Sequence, residues 1–273
     1  VSTLMKWFPD RRGMAAGLAI AGFGGGAMIG SPLATMLMAR FEHGSAGVAW
    51  TLYCMAAIYA VFMTFGSLAY RIPPVGWRPA GWSGSAGGHP DAMGQYVHVD
   101  AAHRTPQFWL LWLMLCMNVS AGIGVIGAAS PMLQETFGGA LAGHGDLTIV
   151  ALRADPSLMK RAASVAAGFV GLLSLFNILG RFFWASASDR LGRRTTYAVF
   201  FSVGIASYLL AAHAADTKSL GLFVGALCMI ASMYGGGFAT IPAFLADLFG
   251  SKYVGAIHGR LDRKSTRLNS SHT

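Results

Sequence analysis

Charged residues are scarce in this chain. They make up 11% of its 273 residues, whereas hydrophobic residues make up 54% and the mean hydropathy is +0.52. Soluble domains contain roughly 25% charged residues, because a folded chain of this size needs polar side chains to cover its surface. The same figures exclude a collagen, a disordered tail and a disulfide-rich scaffold. The class that remains is a protein that crosses a membrane several times.

Cysteine is also rare, and its placement favours packing over chemistry. Each of the three cysteines lies inside an apolar run, where a small hydrophobic side chain is its simplest role: Cys54, Cys116 and Cys228. Three histidines share a polar segment, but their spacing matches no metal site: His89, His98 and His103. The glycine-rich run 22–30 lacks the preceding strand that a dinucleotide-binding fold requires. We therefore expect neither a metal nor a cofactor.

The basic residues do not form a nucleic-acid-binding patch, although the formal net charge is +9. They lie in short clusters between apolar runs, and we expect no nucleic-acid partner. Ten of them would lie on one side of a membrane: Lys6, Arg11, Arg12, Arg71, Arg78, Arg104, Arg190, Arg193, Arg194 and Lys252. Five would lie on the other: Arg40, Arg153, Lys160, Arg161 and Lys218. The positive-inside rule makes the first side cytoplasmic, in a cell inner (plasma) membrane.

Six apolar stretches are each long enough for a helix of about 20 residues to cross a bilayer. They are residues 13–39, 44–70, 106–134, 162–188, 195–215 and 219–246. Continuous apolar runs, without the alternation of a membrane barrel, predict helices rather than strands. A seventh run begins at Tyr253. The sequence thus predicts an all-α membrane protein.

Two longer polar segments separate these runs. Residues 71–105 are rich in Gly, Pro, Ser and His, and predict a flexible cytoplasmic linker between two helix bundles. Residues 135–161 predict a loop on the opposite side. The final residues, 262–273, resemble the translation of a sequencing-library adapter and are left out of the fold prediction.

One cation lies deep inside a predicted spanning helix. Arg181 precedes Asp189, at the cytoplasmic end of its run, by eight residues, which at 1.5 Å per residue places it about 12 Å deep. Half of a ~30 Å hydrocarbon core is ~15 Å, so Arg181 is close to the midplane. None of the six runs contains an acidic residue. A cation there requires a partner, either a substrate anion or a carboxylate on further helices.

Glycine patterns predict close helix packing. In the first run Gly22, Gly26 and Gly30 recur every fourth residue, so that a neighbouring backbone can approach that face. Gly221 and Gly225 repeat the pattern in the sixth run. We expect helix–helix contacts at both places.

A further glycine cluster, residues 235–237, is followed by Pro242. This combination predicts a bent or loosened helix. Irregular backbone at membrane depth occurs inside protein or beside a water-filled cavity. Two interpretations stay open, a broken helix beside a substrate path and a structural kink without a ligand.

The segment 185–194 resembles the loop signature of the major facilitator superfamily, G-x-x-x-D-R-x-G-R-R. Ala185 replaces the first glycine, a small-for-small change that still allows close packing. The matching positions are Asp189, Arg190, Gly192, Arg193 and Arg194. In that family the loop lies on the cytoplasmic side, between the second and third helices of a six-helix half. The resemblance implies that Asp189 braces the N-terminus of a neighbouring helix, while Arg190 and Arg193 bind acidic partners or lipid headgroups.

Further segments resemble the oxalate/formate antiporter family in particular: residues 7–17, 22–26, 105–109 and 234–244. The resemblance extends over most of the chain and implies a partial fold, a fragment with helices five to ten of twelve and the start of helix eleven. It implies three parts, in which two helices in 1–70 end an N-terminal bundle and 71–105 link the bundles. The third part, 106–261, would form four helices and a truncated fifth of a C-terminal bundle.

Members of that family carry small carboxylates through a midplane cavity by alternating access. The resemblance therefore implies a transporter of small organic anions, such as oxalate, formate or other monocarboxylates, driven by an exchanged anion or a co-transported proton. Arg181 matches the family's helix-eight cation, and Tyr234 matches an aromatic position on helix ten. Asn118 and Asn177 are further substrate-binding candidates. Arg260 is a weak counterpart of the helix-eleven cation.

Other function classes fit the sequence less well. A membrane-embedded enzyme would need a nucleophile–base pair or a metal cluster at depth, and the runs contain no Asp, Glu or Lys. We expect no enzyme. An inactive membrane fragment or scaffold would share the composition but would not require Arg181 at depth. A facilitator-type transporter of another small solute is the last alternative.

Overall fold

The computed structural model describes residues 1–41, 45–74, 77–82, 96–145 and 149–261, and the regular structure in these ranges is helical. The helices, in chain order, are α1 (Ser2–Trp7), α2 (Arg12–Phe41), α3 (Ser45–Ala69), α4 (Val99–Ala102), α5 (Pro106–Leu141), α6 (Ile149–Ala154), α7 (Pro156–Leu191), α8 (Arg193–Asp216) and α9 (Leu220–Phe249). Residues 254–261 are also helical. The predicted tail, 262–273, and His89 lie outside the described residues.

The predicted apolar runs all form helices. Among the described residues, five helical segments are long and apolar enough to cross a membrane: Gly47–Ala69, Pro106–Leu141, Pro156–Leu191, Arg193–Asp216 and Leu220–Phe249. The first run lies within α2, and the seventh is helical from residue 254. The chain is an all-α, multi-pass membrane protein, as its composition predicts.

The predicted long loop over 135–161 is wrong in extent. Helix α5 continues to Leu141, and α7 already begins at Pro156. Asp155 caps α7, because its carboxylate accepts the backbone N–H groups of Ser157 at 2.8 Å and Leu158 at 3.4 Å. Proline at the first helical position, after an N-capping Asp, starts a helix six residues before the apolar run. Apolar content alone therefore predicts both helices to be shorter than they are.

Helices α7 and α9 form the centre of the structure. Helix α7 packs most extensively against α9 and next against α2. In an apolar 18-residue stretch of α9, 61% of the residues are buried, compared with 6% in such a stretch of α3. The difference places α9 inside the helix assembly and leaves α3 with almost its whole circumference exposed.

Glycines make the contact between α7 and α9 close. A Cβ at Gly180 would overlap the Ser232 carbonyl, and one at Gly235 would overlap the Asn177 carbonyl. The two helices therefore touch backbone to backbone, as small residues allow in membrane proteins. Helix α9 is continuous through residues 235–237 and Pro242. The expectation of a broken helix is wrong, because these glycines serve contact rather than interruption.

The helix–helix contacts expected at the other spaced glycines stay predictions. Among the described residues, nothing approaches within 4 Å of a Cβ at Gly22, Gly26, Gly221 or Gly225, and the nearest atom at Gly30 is the Tyr59 hydroxyl at 3.5 Å. The α2 backbone instead meets α7 further towards its N-terminus. There a Cβ at position 17 would lie 2.6 Å from the carbonyl oxygen of residue 181. Glycines at every fourth position identify a helix face without side chains, but they do not show which such face another helix contacts.

The end of the predicted flexible linker is folded onto the helices. The backbone N–H of Val97 donates to the Phe249 carbonyl at 3.1 Å, and the Arg260 guanidinium donates to Asp100 at 2.8 Å. Val99 and Ala102 of α4 are buried in the same apolar core as Met5 of α1, together with residues of the helical stretch 254–261. These contacts join segments from both ends of the chain on the side predicted to be cytoplasmic.

Candidate functional site

Arg181 lies in the interior of α7, with 7% of its surface exposed. Its Nε donates to the Asn177 side-chain oxygen at 3.1 Å, one turn earlier on the same helix. Its Nη1 donates to the main-chain carbonyl of Ile20 on α2 at 3.0 Å. The face of the Phe238 ring on α9 lies 5.8 Å from the guanidinium carbon. Three helices thus converge on one buried cation.

These partners of Arg181 are all neutral. A carbonyl, an amide oxygen and an aromatic face each present negative partial charge to a cation, and together they solvate the guanidinium without cancelling its charge. Beside these three groups the buried guanidinium therefore keeps its positive charge.

Asn177 orients the guanidinium rather than facing open space. Its side-chain N–H donates to the Ala231 carbonyl of α9 at 3.2 Å, while its oxygen accepts from Arg181. Both ends of the amide are therefore engaged. This arrangement fixes the rotamer of Asn177 and, through it, the direction of the Arg181 side chain.

The other two predicted site residues are Asn118 on α5 and Tyr234 on α9. The Asn118 side-chain N–H donates to the Tyr234 main-chain carbonyl at 3.2 Å. The Tyr234 ring covers Gly122, where a Cβ would overlap it. Both side chains line a cavity of about 150 Å³ between α5, α8 and α9, whose remaining lining is mostly apolar.

The structure therefore divides the four predicted residues into two pairs. Arg181 and Asn177 meet at the contact of α2, α7 and α9, whereas Asn118 and Tyr234 line the cavity next to α8. The Tyr234 phenol remains close enough to interact electrostatically with the guanidinium. The 234–237 segment joins the two pairs. A Cβ added to Gly235, the residue after Tyr234, would lie 3.1 Å from the Arg181 Cγ.

Two partners of Arg181 are absent from the sequence prediction. Phe238 lies one turn after Tyr234, so helical spacing within the segment 234–244 could have identified it. The Ile20 contact uses a main-chain carbonyl, which every residue has, and no sequence signal identifies it. Arg260, the weak helix-eleven candidate, pairs with Asp100 in the linker instead.

The histidines of the linker do not form a metal site in the described part of the chain, where no three His, Cys, Asp or Glu side chains converge on one point. The His98 ring accepts the backbone N–H of Asp100 at 3.3 Å and caps α4. The His103 ring lies 3.3 Å from the Val99 carbonyl. Both rings bond their own short helix.

The last turn of α7 places Asp189 against the first turn of α2. Its carboxylate accepts the backbone N–H groups of Gly13 and Met14, each at 2.8 Å. A negative charge at this position interacts favourably with the helix dipole and satisfies two N–H groups that have no partner within the helix. Gly192 between the helices has φ +84°, a conformation that favours glycine.

Arg193 connects this loop to α9. Its guanidinium contacts Asp189 at 2.6 Å and Asp247 at 3.0 Å, and Arg12 of α2 lies 3.6 Å from the second Asp247 oxygen. Four charges of alternating sign therefore link α2, the α7–α8 loop and α9. Arg190, by contrast, is exposed.

A comparison with protein families identifies the fold. The model of the Major Facilitator Superfamily matches residues 1–260. The chain belongs to this superfamily. The helical architecture and the α7–α8 loop are those of a partial major facilitator fold, and the family consists of transporters.

Two curated members of the superfamily are similar to the chain. It is 26% identical to the "Oxalate:formate antiporter" of Oxalobacter formigenes over 95% of its own length and 53% of that protein. It is 24% identical to the "Uncharacterized MFS-type transporter YhjX" of Escherichia coli (strain K12), over 95% of its length and 55% of that protein. The chain thus spans about half the length of the relatives that it matches.

Proposed function

We propose that this chain is part of a secondary transporter of small organic anions, and that Arg181 binds the carboxylate. The observation that supports the proposal is a buried guanidinium near the middle of a spanning helix, at the contact of α2, α7 and α9. The energetic cost of placing a cation there is high, and such residues in membrane proteins mark ion and substrate paths. The protein that we propose is a carrier and not an enzyme, and it lies in a cell inner membrane.

Carboxylate recognition follows from guanidinium chemistry. The planar fork of an arginine matches the two oxygens of a carboxylate, and such charge-assisted bonds are about twice as strong as neutral ones. A bound carboxylate would accept N–H groups of the terminal nitrogens, while Asn177 keeps Nε in place. The Tyr234 hydroxyl would supply a further donor, with Asn118 fixing the backbone beneath it.

Alternating access requires two bundles that move against each other. In this proposal α2 and α3 belong to the first bundle and α5, α7, α8 and α9 to the second, so that Arg181 faces the boundary between them. Rocking would expose the anion first on one side and then on the other, in exchange for a second anion or together with a proton. The oxalate:formate antiporter among the relatives supports a carboxylate as the substrate class.

Counterflow in proteoliposomes tests the proposal. The full-length transporter that contains this chain is reconstituted, and uptake of labelled oxalate or formate into anion-loaded vesicles is measured for Arg181→Ala. We expect uptake to fall to the protein-free background. Arg161→Ala is the matched control, because Arg161 is an exposed cation at the other end of the same helix and should leave uptake unchanged.

Undiminished counterflow by Arg181→Ala, with unmodified protein active, would refute the site. Absence of carboxylate counterflow by the unmodified transporter would refute the substrate class. Size-exclusion chromatography in detergent checks that the variant elutes like the unmodified protein. A loss of transport can then be distinguished from a loss of folding.

A further inference from the structure

The chain turns back onto α1 where it leaves α3. The Trp7 indole N–H donates to the Arg71 carbonyl at 3.0 Å, and the Trp77 indole N–H donates to the Trp7 carbonyl at 3.2 Å. The two indole rings meet edge to face, with their centroids 5.0 Å apart. The Tyr70 hydroxyl donates to the Thr3 hydroxyl. We call this set of contacts the clasp; its residues are Thr3, Trp7, Tyr70, Arg71 and Trp77.

The clasp brings together basic residues that are far apart in the chain. Three cations belong to it or adjoin it in sequence, and all three are exposed: Lys6, Arg71 and Arg78. Residues 1–9 and 70–82 contain no Asp or Glu. The nearest acidic residue along the chain, Asp10, lies 3.6 Å from the Arg11 guanidinium. The clasp thus carries a cluster of positive charge.

The end of α3 gives the depth of this cluster in the membrane. The apolar segment Gly47–Ala69 is long enough to cross a bilayer, and Tyr70 and Arg71 follow it directly. The residues after a spanning segment lie at the level of the lipid headgroups. Tyrosine and tryptophan rings are also enriched at that level. The clasp therefore lies at the membrane surface, on the side predicted to be cytoplasmic.

Apolar side chains beside the cations are exposed as well. Phe8, Ile72 and Trp77 each follow or belong to the clasp and have large exposed surfaces. Binding to a membrane surface strengthens with the apolar area that is buried and with attraction between basic residues and anionic lipids. A surface that combines both features complements the acyl chains and the phosphate of one lipid, whereas a soluble anion would contact the cations alone.

We propose that Lys6, Arg71 and Arg78, held together by the clasp, bind the phosphate headgroup of an anionic phospholipid. Basic residues at a membrane surface each attract anionic lipids, and the attraction falls off within about 10 Å, so clustered cations act on the same headgroup. Because the clasp fixes the backbone beside the three cations, less conformational freedom is lost on binding. The bound lipid anchors the start of the predicted linker, 71–105, to the membrane. This site is separate from Arg181 and does not rest on the proposed function.

Lipid binding by the purified full-length transporter that contains this chain tests the proposal. Phosphatidylglycerol is titrated into the protein in a non-ionic detergent, and native mass spectrometry counts the lipids that are bound. Lys6→Gln, Arg71→Gln and Arg78→Gln together should weaken the binding of one phosphatidylglycerol about 100-fold, as expected for three basic residues at a membrane surface. Phosphatidylcholine, which has no net charge, should bind equally to both proteins.

A matched control removes the same charge from the same side of the membrane. Arg104→Gln, Arg194→Gln and Lys252→Gln change three exposed cations that lie outside the clasp. We expect this variant to bind phosphatidylglycerol like the unmodified protein. An equal loss in both triple variants would overturn the proposal, because binding would then follow the net charge of that side and not the cluster.

The contribution of the clasp is tested without changing a charge. Trp77→Phe keeps an aromatic ring but removes the N–H that donates to the Trp7 carbonyl. It should weaken the same binding about fivefold, in keeping with the loss of one hydrogen bond. Trp82→Phe is the control, since Trp82 lies outside the clasp. Equal binding by these two variants would overturn a site that the clasp holds together.

A soluble headgroup distinguishes a lipid from a free phosphate compound. Glycerophosphoglycerol carries the phosphate of phosphatidylglycerol without its acyl chains, and at equal concentration it should not displace the lipid. Displacement at equal concentration would overturn a lipid as the ligand. A loss of binding in the cluster variant but not in its control, without displacement by the soluble headgroup, supports the proposal.

Discussion

The charge of Arg181 is stabilised by dipoles, and each dipole comes from a different helix. Asn177 is on the same helix, the Ile20 carbonyl is on α2 and the Phe238 ring is on α9. These groups stabilise a guanidinium without cancelling its charge, whereas a carboxylate would neutralise it. In the proposed function, the affinity for a carboxylate depends on how firmly the guanidinium is oriented.

Removal of the orienting amide should affect both stability and binding. Asn177→Ala leaves a buried donor on Arg181 and an acceptor at Ala231 without this partner, at a cost of about 1–3 kcal/mol. We expect a lower melting temperature in detergent and a higher KM for carboxylate exchange. Ser174→Ala is the control, since its hydroxyl bonds only the Val170 carbonyl of its own helix. Equal KM values for the two variants would contradict an orienting role for Asn177.

A second prediction at this scale concerns Asp189. Asp189→Asn removes the charge that faces the α2 N-terminus and Arg193, and should destabilise the full-length protein by about 2 kcal/mol. The measurement is thermal unfolding in detergent, with Arg194→Gln as an exposed control on the same loop. An unchanged melting temperature for Asp189→Asn would show that the carboxylate contributes nothing to the packing of α2.

At the scale of helices, glycine decides which faces touch. Hydrophobicity alone predicted where the helices lie, because a spanning segment needs a long apolar run whatever its neighbours are. It did not predict the faces in contact. Gly22 and Gly26 are regularly spaced yet have no close neighbour in the described structure, whereas Gly180 and Gly235 are covered by backbone. Contact depends on the partner helix, which lies far away in sequence.

Two glycines of α9 provide a matched comparison. Gly235→Ala would overlap the Asn177 carbonyl and should cost about 2 kcal/mol, the usual range for overpacking. Gly225→Ala meets open space and replaces a poor helix former, so it should be neutral or stabilise by up to about 1 kcal/mol. Thermal unfolding of the two variants checks the difference. Equal melting temperatures would contradict the close packing of α7 on α9.

At the scale of the whole molecule, the two ends of the chain meet on the side predicted to be cytoplasmic. Met5 of α1, α4 and the stretch 254–261 share one apolar core, and the Arg260–Asp100 ion pair lies at its edge. The Arg260 guanidinium donates to the Asp100 carboxylate and holds its pKa below the usual value of 3.8. The ionised form of Asp100 therefore favours the docked linker.

Acid should release this docking. Because the docked pKa of Asp100 is lowered, its contribution is complete above the ordinary pKa and is lost as the pH falls through the docked pKa. Hydrogen exchange at the Val97 amide, corrected for its intrinsic rate, should report a loss of protection from about pH 5 to about pH 3. Arg260→Gln should show low protection at both values. A pH-dependent loss of the same size in Arg260→Gln would contradict the role of the ion pair.

The sequence identified Arg181 as a buried cation but did not identify the groups that surround it. Depth within an apolar run is a local property, so Arg181 was identifiable from residue counting alone. Its partners were not, since the Ile20 carbonyl is main chain and lies on a distant helix. Which α9 side chains lie beside Arg181 depends on the rotation of α9, which only the packing of three helices determines.

The central claim is that Arg181 binds a carboxylate, and a direct binding measurement tests it best. Oxalate and formate are titrated into the purified full-length transporter by calorimetry, with Arg181→Gln and Arg161→Gln alongside. We expect binding by the unmodified protein and by Arg161→Gln, and about 100-fold weaker binding by Arg181→Gln, as for loss of a bidentate charged contact. Equal affinity of Arg181→Gln and the unmodified protein would contradict the claim.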